Sequence, residues 1–351
     1  MKTELLELRG NEGDAAVISR ASALLREGGV AAIPTETVYG LAARADCEAA
    51  VRAVFKAKGR PQDNPLISHV SSLEMWERCV EGVSEKAQRL AEAFWPGPLT
   101  IILKRSKYIC EAVSCSLDTV AVRMPSHKAA LAIISETGIP LAAPSANLSG
   151  RPSPTTAKHV LNDLEGRIPL IIDGGPCEVG VESTVISLSS DIPLILRPGI
   201  VSLEMIRRIL PEAELSASVL REPQPSERVE SPGMKYKHYS PEAEIVLLRG
   251  SLKAFIDYIR PFITAEVWAL CFEGEESLIP LQCLCYGKKE NAASQARELF
   301  AALRRLDELG AKKVYTRCPE MSGEALGVYN RLLRAAGFNI IDLEGMGEIE
   351  L

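Results

Sequence analysis

Residues 211–243 impose the first constraint on this chain. The stretch PEAELSASVLREPQPSERVESPGMKYKHYSPEA holds five prolines and little apolar periodicity. Proline lacks a backbone N–H and fixes φ, so a run of this kind continues neither a helix nor a sheet ladder. It reads as an extended linker between two folding units. A length of 351 residues agrees with two domains. The expected boundaries are 1–210, 211–243 and 244–351. The second half of the linker, PGMKYKHYSP, concentrates Lys235, Tyr236, Lys237, His238 and Tyr239 between prolines, which a mere spacer does not need.

Helical and strand patterns alternate on both sides of the linker. DAAVISRASALLREGG carries a helical stripe at Val17, Ile18, Ala21, Leu24 and Leu25, stopped by Gly28 and Gly29. VAAIP follows as a short buried strand. The alternation continues through a helix from Cys47 to Lys56, strands at LISHV, LTIIL, VAVRM and IPLAA, and helices near 84–94, 127–137 and 155–164. Strands near 170–173, 184–188 and 194–197 and a helix near 202–209 complete the first unit. This predicts an α/β or mixed α+β domain with one large sheet. Beyond the linker, strands near 244–248, 267–272, 281–286, 313–316 and 339–343 alternate with helices near 251–260, 291–309 and 323–336, which predicts a small open α/β sheet.

Charge narrows the function. Forty Lys and Arg against 46 Asp and Glu leave a net charge of -6, which argues against broad binding to nucleic acid or an anionic membrane. No apolar run approaches the roughly 18 residues that span a bilayer. MKTELLELRGNEGD has no apolar core of the kind a signal peptide requires. Nine scattered cysteines without a CxxC pair suggest a reduced, cytoplasmic protein, and four distant histidines show no metal-ligand spacing. The Walker-type P-loop, GxGxxG after a strand, HExxH and GxSxG are all missing.

Several short polar stretches follow strands. KAKGRPQDNPL, residues 56–66, places Lys56, Lys58 and Arg60 before stiffening prolines at 61 and 65. Guanidinium and ammonium groups suit phosphate oxygens, and a stiff loop loses little entropy on gripping a ligand. A surface turn whose cations complement a helix C-terminus is the plain alternative. PTETVYGL, residues 34–41, offers threonines, a glutamate and a tyrosine at a strand end, or else an ordinary βα turn capped by Thr35 or Thr37. Arg123 ends an apolar strand in DTVAVRMP and needs an anionic partner, either a substrate or one of the chain's own carboxylates. APSANLSGRPSPT brings Ser145, Asn147, Ser149 and Ser153, GVESTVISL brings Glu182 and Ser183, and LILRPG brings Arg197. Each is weak alone. Convergence of these loops would make a pocket for a small zwitterion and a polyphosphate.

In this order, PTETVYGL, KGRPQDNPL, FWPGPLT, VAVRMP, APSANLSG, ESTV and RPG resemble the YrdC-like family. With SPGMKYKHYSP and the trailing α/β unit, the whole chain resembles the long, two-domain threonylcarbamoyl-AMP synthases. The resemblance implies a twisted, concave mixed sheet with flanking helices, joined by a linker to a small Rossmann-like open α/β domain. It implies that L-threonine, bicarbonate and ATP give L-threonylcarbamoyl-AMP, pyrophosphate and water. The product would serve a downstream tRNA threonylcarbamoyltransferase complex that modifies the adenosine next to the anticodon.

The resemblance also distributes roles. Lys58 and Arg60 would be the catalytic cations on the ATP phosphates, with Asn64 beside them. Thr37, His69, Arg123, Ala143 (through its backbone) and Ser183 would hold threonine, with Arg123 clamping its carboxylate. Thr119, Ser145, Asn147, Ser153, Arg197 and Tyr236 would face the nucleotide, and the linker would close as a lid. Mg²⁺ would arrive on the ATP phosphates and need no protein ligand cage. Two rivals stand beside this reading: an RNA-binding module of the same fold, and an enzyme forming carbamoyl-AMP from carbamoyl phosphate. The acidic balance opposes the first, and the zinc-finger and acylphosphatase-like modules that accompany the second are not seen here.

Overall fold

A computed structural model of the chain describes residues 1–221 and 239–344. They divide into two compact units, 1–149 with 153–221, and 150–152 with 239–344. Tyr236, Lys235 and His238, and with them the greater part of the expected lid, lie outside the described residues.

The first unit is built on one mixed sheet. Its strands are β1 (Glu4–Glu7), β2 (Ala31–Ile33), β3 (Gly40–Arg44), β4 (Ile67–His69), β5 (Leu99–Lys104), β6 (Thr119–Arg123), β7 (Leu141–Ala142), β8 (Leu170–Asp173), β9 (Thr184–Ser187), β10 (Leu194–Arg197) and β11 (Glu214–Leu215). They lie in the order β1-β8-β2-β3-β7-β4-β6-β5-β9-β10-β11. Parallel pairs such as β4 with β6 and β5 with β9 alternate with antiparallel pairs such as β2 with β3, β4 with β7 and β5 with β6. Such a sheet twists as every sheet of L-residues does. Its apolar faces pack with helices into one core that includes Leu25, Ile33, Leu41, Phe55, Trp76, Ile101, Val122, Ile133, Leu141 and Ile171.

Two local expectations change. PTETVYGL is a ββ turn, not a βα turn: β2 and β3 pair antiparallel with Ile33 opposite Gly40. The Thr35 hydroxyl closes this turn by donating to the Val38 carbonyl at 2.6 Å and accepting the Thr37 and Val38 amides. Part of the expected linker is structured, since β11 pairs in parallel with β10.

The helix α1 (Asp14–Arg26) ends where Gly28 takes a left-handed φ of 89°. The helix α2 (Glu48–Lys58) runs further than its stripe suggests and ends at Gly59, with φ 61° and the Arg60 amide bonded back to the Phe55 carbonyl. Glycine adopts this conformation without the Cβ penalty, which is why helices commonly stop there. Lys58 is therefore the last helical residue, while Arg60 begins the turn.

The second unit is an all-parallel sheet of β12 (Glu244–Arg249), β13 (Val267–Cys271), β14 (Gln282–Cys285), β15 (Lys313–Arg317) and β16 (Ile340–Asp342), in the order β14-β13-β15-β12-β16. Helices over 252–259, 292–308 and 326–335 make the crossovers that parallel strands require. Val246, Leu248, Phe255, Ile259, Ala269 and Tyr315 form a separate core.

Candidate active site

Three loops of the first unit are stitched together by main-chain bonds. The Tyr39 amide donates to the Pro154 carbonyl at 2.9 Å, and the Ala146 amide to the Tyr39 carbonyl at 2.8 Å. The Val179 and Gly180 amides donate to the carbonyls of Glu36 and Thr37 at 2.8 and 3.1 Å. The segments 34–40, 143–149, 153–155 and 179–183 thus form one continuous wall.

At one end of this wall stands Lys58, 2% exposed. Its ammonium donates to the carbonyls of Ser145 and Asn147 and, at 3.3 Å, to the Asn147 side-chain oxygen. The Ser145 hydroxyl also donates to that oxygen. The Ser149 amide returns a bond to the Lys58 carbonyl at 2.9 Å. Lys58, Ser145 and Asn147 are therefore one cluster. Arg60 forms a second with Asn64: its guanidinium donates to the Asn64 and Pro65 carbonyls at 3.2–3.3 Å. The Asn64 amide group is buried with no hydrogen-bond partner for either atom among the described residues, which is a costly state for a polar group without a ligand.

The other end is organised by β4 and β6, whose register sets His69 opposite Arg123. Arg123 is 3% exposed. It donates through Nε to the Gly97 carbonyl at 3.2 Å and through Nη1 to the Thr37 hydroxyl at 2.8 Å. Its Nη2 lies 2.6 Å from the Glu36 carboxylate, which is equally buried. The contact runs through a single guanidinium nitrogen, and the backbone amides of Glu36 and Ser126 also face the carboxylate. Burial pushes the Glu36 carboxyl up, and the adjacent Arg123 charge more than reverses this, holding it below the usual carboxylate range. Burial and then the same Arg123 charge push His69 down to about 3, so its imidazole stays neutral. Cys177, whose amide donates to the Thr155 carbonyl at 2.9 Å, is pushed up to about 12 by burial.

Ser183 and Arg197 form a third cluster. Arg197 donates through Nε and Nη2 to the Ser183 carbonyl at 3.1 and 3.0 Å and through Nη2 to its hydroxyl at 3.2 Å. The Ser183 hydroxyl shares a hydrogen bond with Thr100 at 2.7 Å. Ser153 joins this cluster through Glu182, to whose carboxylate its hydroxyl donates. Ala143 spends its N–H on the Ile67 carbonyl, so a backbone contact from Ala143 must come from its carbonyl oxygen. Thr119 begins β6 and stands four residues from Arg123, about 13 Å along the strand. That end of the strand is the end at which Arg60 and Asn64 lead into β4. Glu36 and Glu182 lay inside quoted motifs without an assigned role. The sequence signals only that some carboxylate is needed, since a buried arginine in an apolar strand demands one.

Comparison with known proteins also finds two parts, the second of which begins inside the first unit. Residues 23–199 match the family described as telomere recombination, and residues 201–337 match the threonylcarbamoyl-AMP synthase C-terminal domain. The threonylcarbamoyl-AMP synthases of Pyrococcus abyssi and Bacillus subtilis are each 42% identical over 324 and 328 residues, covering 92% of this chain and 94% of theirs. The chain belongs to the threonylcarbamoyl-AMP synthase family. It has the long, two-domain form of that family. The crystal structure of P. abyssi Sua5 complexed with L-threonine superposes with a TM-score of 0.89 at 40% identity, covering 97% of this chain and 99% of that one. A threonylcarbamoyl-AMP synthase from Schizosaccharomyces pombe is 41% identical over 345 residues.

Proposed function

We infer that this chain makes L-threonylcarbamoyl-AMP from L-threonine, bicarbonate and ATP, with release of pyrophosphate and water. The observation that carries the reading is the buried Arg123 guanidinium at the end of β6, set in the same loop wall as the Lys58 cluster. A planar fork in that position suits a substrate carboxylate, and the Lys58 and Arg60 end suits a triphosphate.

The threonine amine attacks the carbon of bicarbonate, or of carbon dioxide derived from it, and gives a carbamate. The carbamate oxygen attacks the α-phosphorus of ATP and expels pyrophosphate. Both steps crowd anions together, and fixed cations offset that repulsion. In this mechanism Arg123 holds the threonine carboxylate, with Thr37, neutral His69, Ser183 and the Ala143 carbonyl around the amino acid. Lys58 and Arg60 face the phosphates with Asn64, and Thr119, Ser145, Asn147, Ser153, Arg197 and Tyr236 serve the nucleotide. The hydroxyls act by positioning, and no covalent enzyme intermediate is required.

Among the described residues no group of three or more His, Cys, Asp or Glu could hold a metal ion. The donor chemistry at the phosphate end, amides at Asn64 and Asn147 and a hydroxyl at Ser145, fits Mg²⁺ carried by the ATP phosphates with its own waters. Bound in that way, the ion supplies charge neutralisation on the phosphates. Closure of the linker over the site would keep water from the carbamate and the mixed anhydride. The product would pass to the tRNA threonylcarbamoyltransferase complex. No described helix is long and apolar enough to cross a membrane. The net charge of -6 supports an enzyme without stable direct binding to nucleic acid, and nine scattered cysteines without a CxxC pair support a reducing, cytoplasmic setting. The deciding experiment is pyrophosphate release from ATP with threonine and bicarbonate each omitted in turn. Release that depends on both is expected, and release indifferent to threonine would overturn the reading.

A further inference from the structure

The Glu36–Arg123 pair has an unusual construction. Buried carboxylate–guanidinium pairs ordinarily gain from two parallel hydrogen bonds. Here Nε and Nη1 are committed to the Gly97 carbonyl and the Thr37 hydroxyl, and only Nη2 meets the carboxylate, at 2.6 Å. Glu36 is held by the chain on either side of its side chain: its carbonyl accepts the Val179 amide, and the next residue, Thr37, takes Nη1. The carboxylate therefore fixes one edge of the guanidinium plane and cancels its charge. It does so at 4% side-chain exposure, with the backbone amides of Glu36 and Ser126 as its other polar neighbours.

The neighbours do not disturb this balance. His69, level with Arg123 on β4, is held neutral by burial and by the Arg123 charge. Burial likewise keeps the Cys177 thiol protonated and pushes the His127 imidazole down. Arg123 and Glu36 thus carry one positive and one negative charge between them, and the further charge felt by Cys177 and His127 is that of the exposed Glu178. A ligand with both an ammonium and a carboxylate enters such a place without adding net charge. A ligand with a carboxylate alone leaves it with an uncompensated anion, which is expensive at low effective dielectric.

We propose that Glu36 is a positioning and specificity-determining residue, which orients Arg123 and makes the amino-acid subsite select a zwitterion over the corresponding hydroxy acid. The inference rests on the amino-acid assignment of the site made above. It needs no contact between Glu36 and substrate, because the discrimination acts through charge.

The test compares two ligands on the full chain: L-threonine, and 2,3-dihydroxybutanoate of the same configuration, in which a hydroxyl replaces the ammonium. Their dissociation constants are measured by calorimetry on the wild type, Glu36→Gln and Glu36→Asp, with ATP binding as an independent check of the site. The wild type is expected to bind threonine at least about tenfold tighter than the analogue. Glu36→Gln is expected to shrink that ratio by about tenfold or more, and Glu36→Asp, which keeps the charge, to restore most of it. A ratio that stays at the wild-type value in Glu36→Gln, with both ligands weakened alike, would reduce Glu36 to a structural role and overturn the proposal. If Glu36→Gln does not fold, the wild-type ratio still decides, since equal or tighter binding of the analogue overturns it. Threonine that fails to bind the wild type would instead overturn the amino-acid assignment underneath.

Discussion

Each unit ends one of its strands with a buried arginine facing a glutamate, and the two pairs are built differently. In the second unit Arg317, the last residue of β15, is fully engaged. Its Nε and Nη2 reach the two Glu275 oxygens at 3.1 and 3.2 Å, and Nη1 donates to the Gly250 carbonyl at 2.7 Å. Phe255 and Phe272 cover its faces with ring centres 5.6 and 5.7 Å away. In the first unit Arg123, the last residue of β6, meets Glu36 with one nitrogen only. A closed pair of the first kind adds to the integrity of a fold. An open pair of the second kind keeps binding capacity in reserve. Burial and charge alone do not separate them; the number of guanidinium nitrogens given to the carboxylate does.

The comparison can be broken by removing either arginine. Arg317→Met leaves Glu275 without its partner and should destabilise the protein by about 3–5 kcal/mol. Urea unfolding would measure that loss, while activity per folded molecule should remain at the wild-type level. A normal stability with reduced activity would make Arg317 functional and erase the contrast. Next in size is Arg60→Ala, which removes a charge-assisted contact worth roughly 1.5–3 kcal/mol, so ATP use should fall about ten- to hundredfold. An unchanged KM and kcat for ATP would contradict the phosphate role. Arg123→Lys keeps the charge and loses the fork. Its KM for threonine should rise about tenfold, with a smaller change for ATP. Equal shifts for both substrates would place Arg123 outside the amino-acid end.

The smallest effect concerns His69. Its folded value, about 3, lies below the ordinary value of about 6.5. Between those limits the unfolded chain holds a proton that the folded chain refuses. The stability due to neutral His69 is therefore complete above about pH 6.5 and is lost as pH falls toward 3. His69→Gln should flatten the acid side of the stability curve by up to ~1.4 kcal/mol per pH unit. An unaltered slope would mean that the imidazole is not shielded as described. The same shielding predicts that no His69 ionisation appears in rate profiles above about pH 5.

Much of this was legible in the residues. The proline-rich stretch separated two α/β units, and the ordered motifs identified the family. Local reading failed where distant chain decides the outcome. GLAAR, which forms β3, has small residues and no β-branched side chain, so propensity gave no strand there and the preceding turn read as βα. Its edge is completed by β2 and β7, and the latter lies about 100 residues away. The helix expected to stop at Lys56 runs on to Lys58, since Gly59 is the residue that ends α2. The partner of Arg123 was foreseeable as a carboxylate, but 46 acidic residues offered no way to choose Glu36. Only the sheet register brings residues 36 and 123 together.

The stitch between Lys58 and the segment 145–149 has a consequence for biosynthesis. One residue at the end of an early helix binds, through side chain and main chain alike, to carbonyls and an amide made some ninety residues later. While the ribosome is still extending the chain, that ammonium remains hydrated and the loop wall has no shape. The wall therefore assembles late, after long-range strand pairing, as high contact order demands. A chain interrupted before about residue 149 should display helix and strands yet hold no nucleotide.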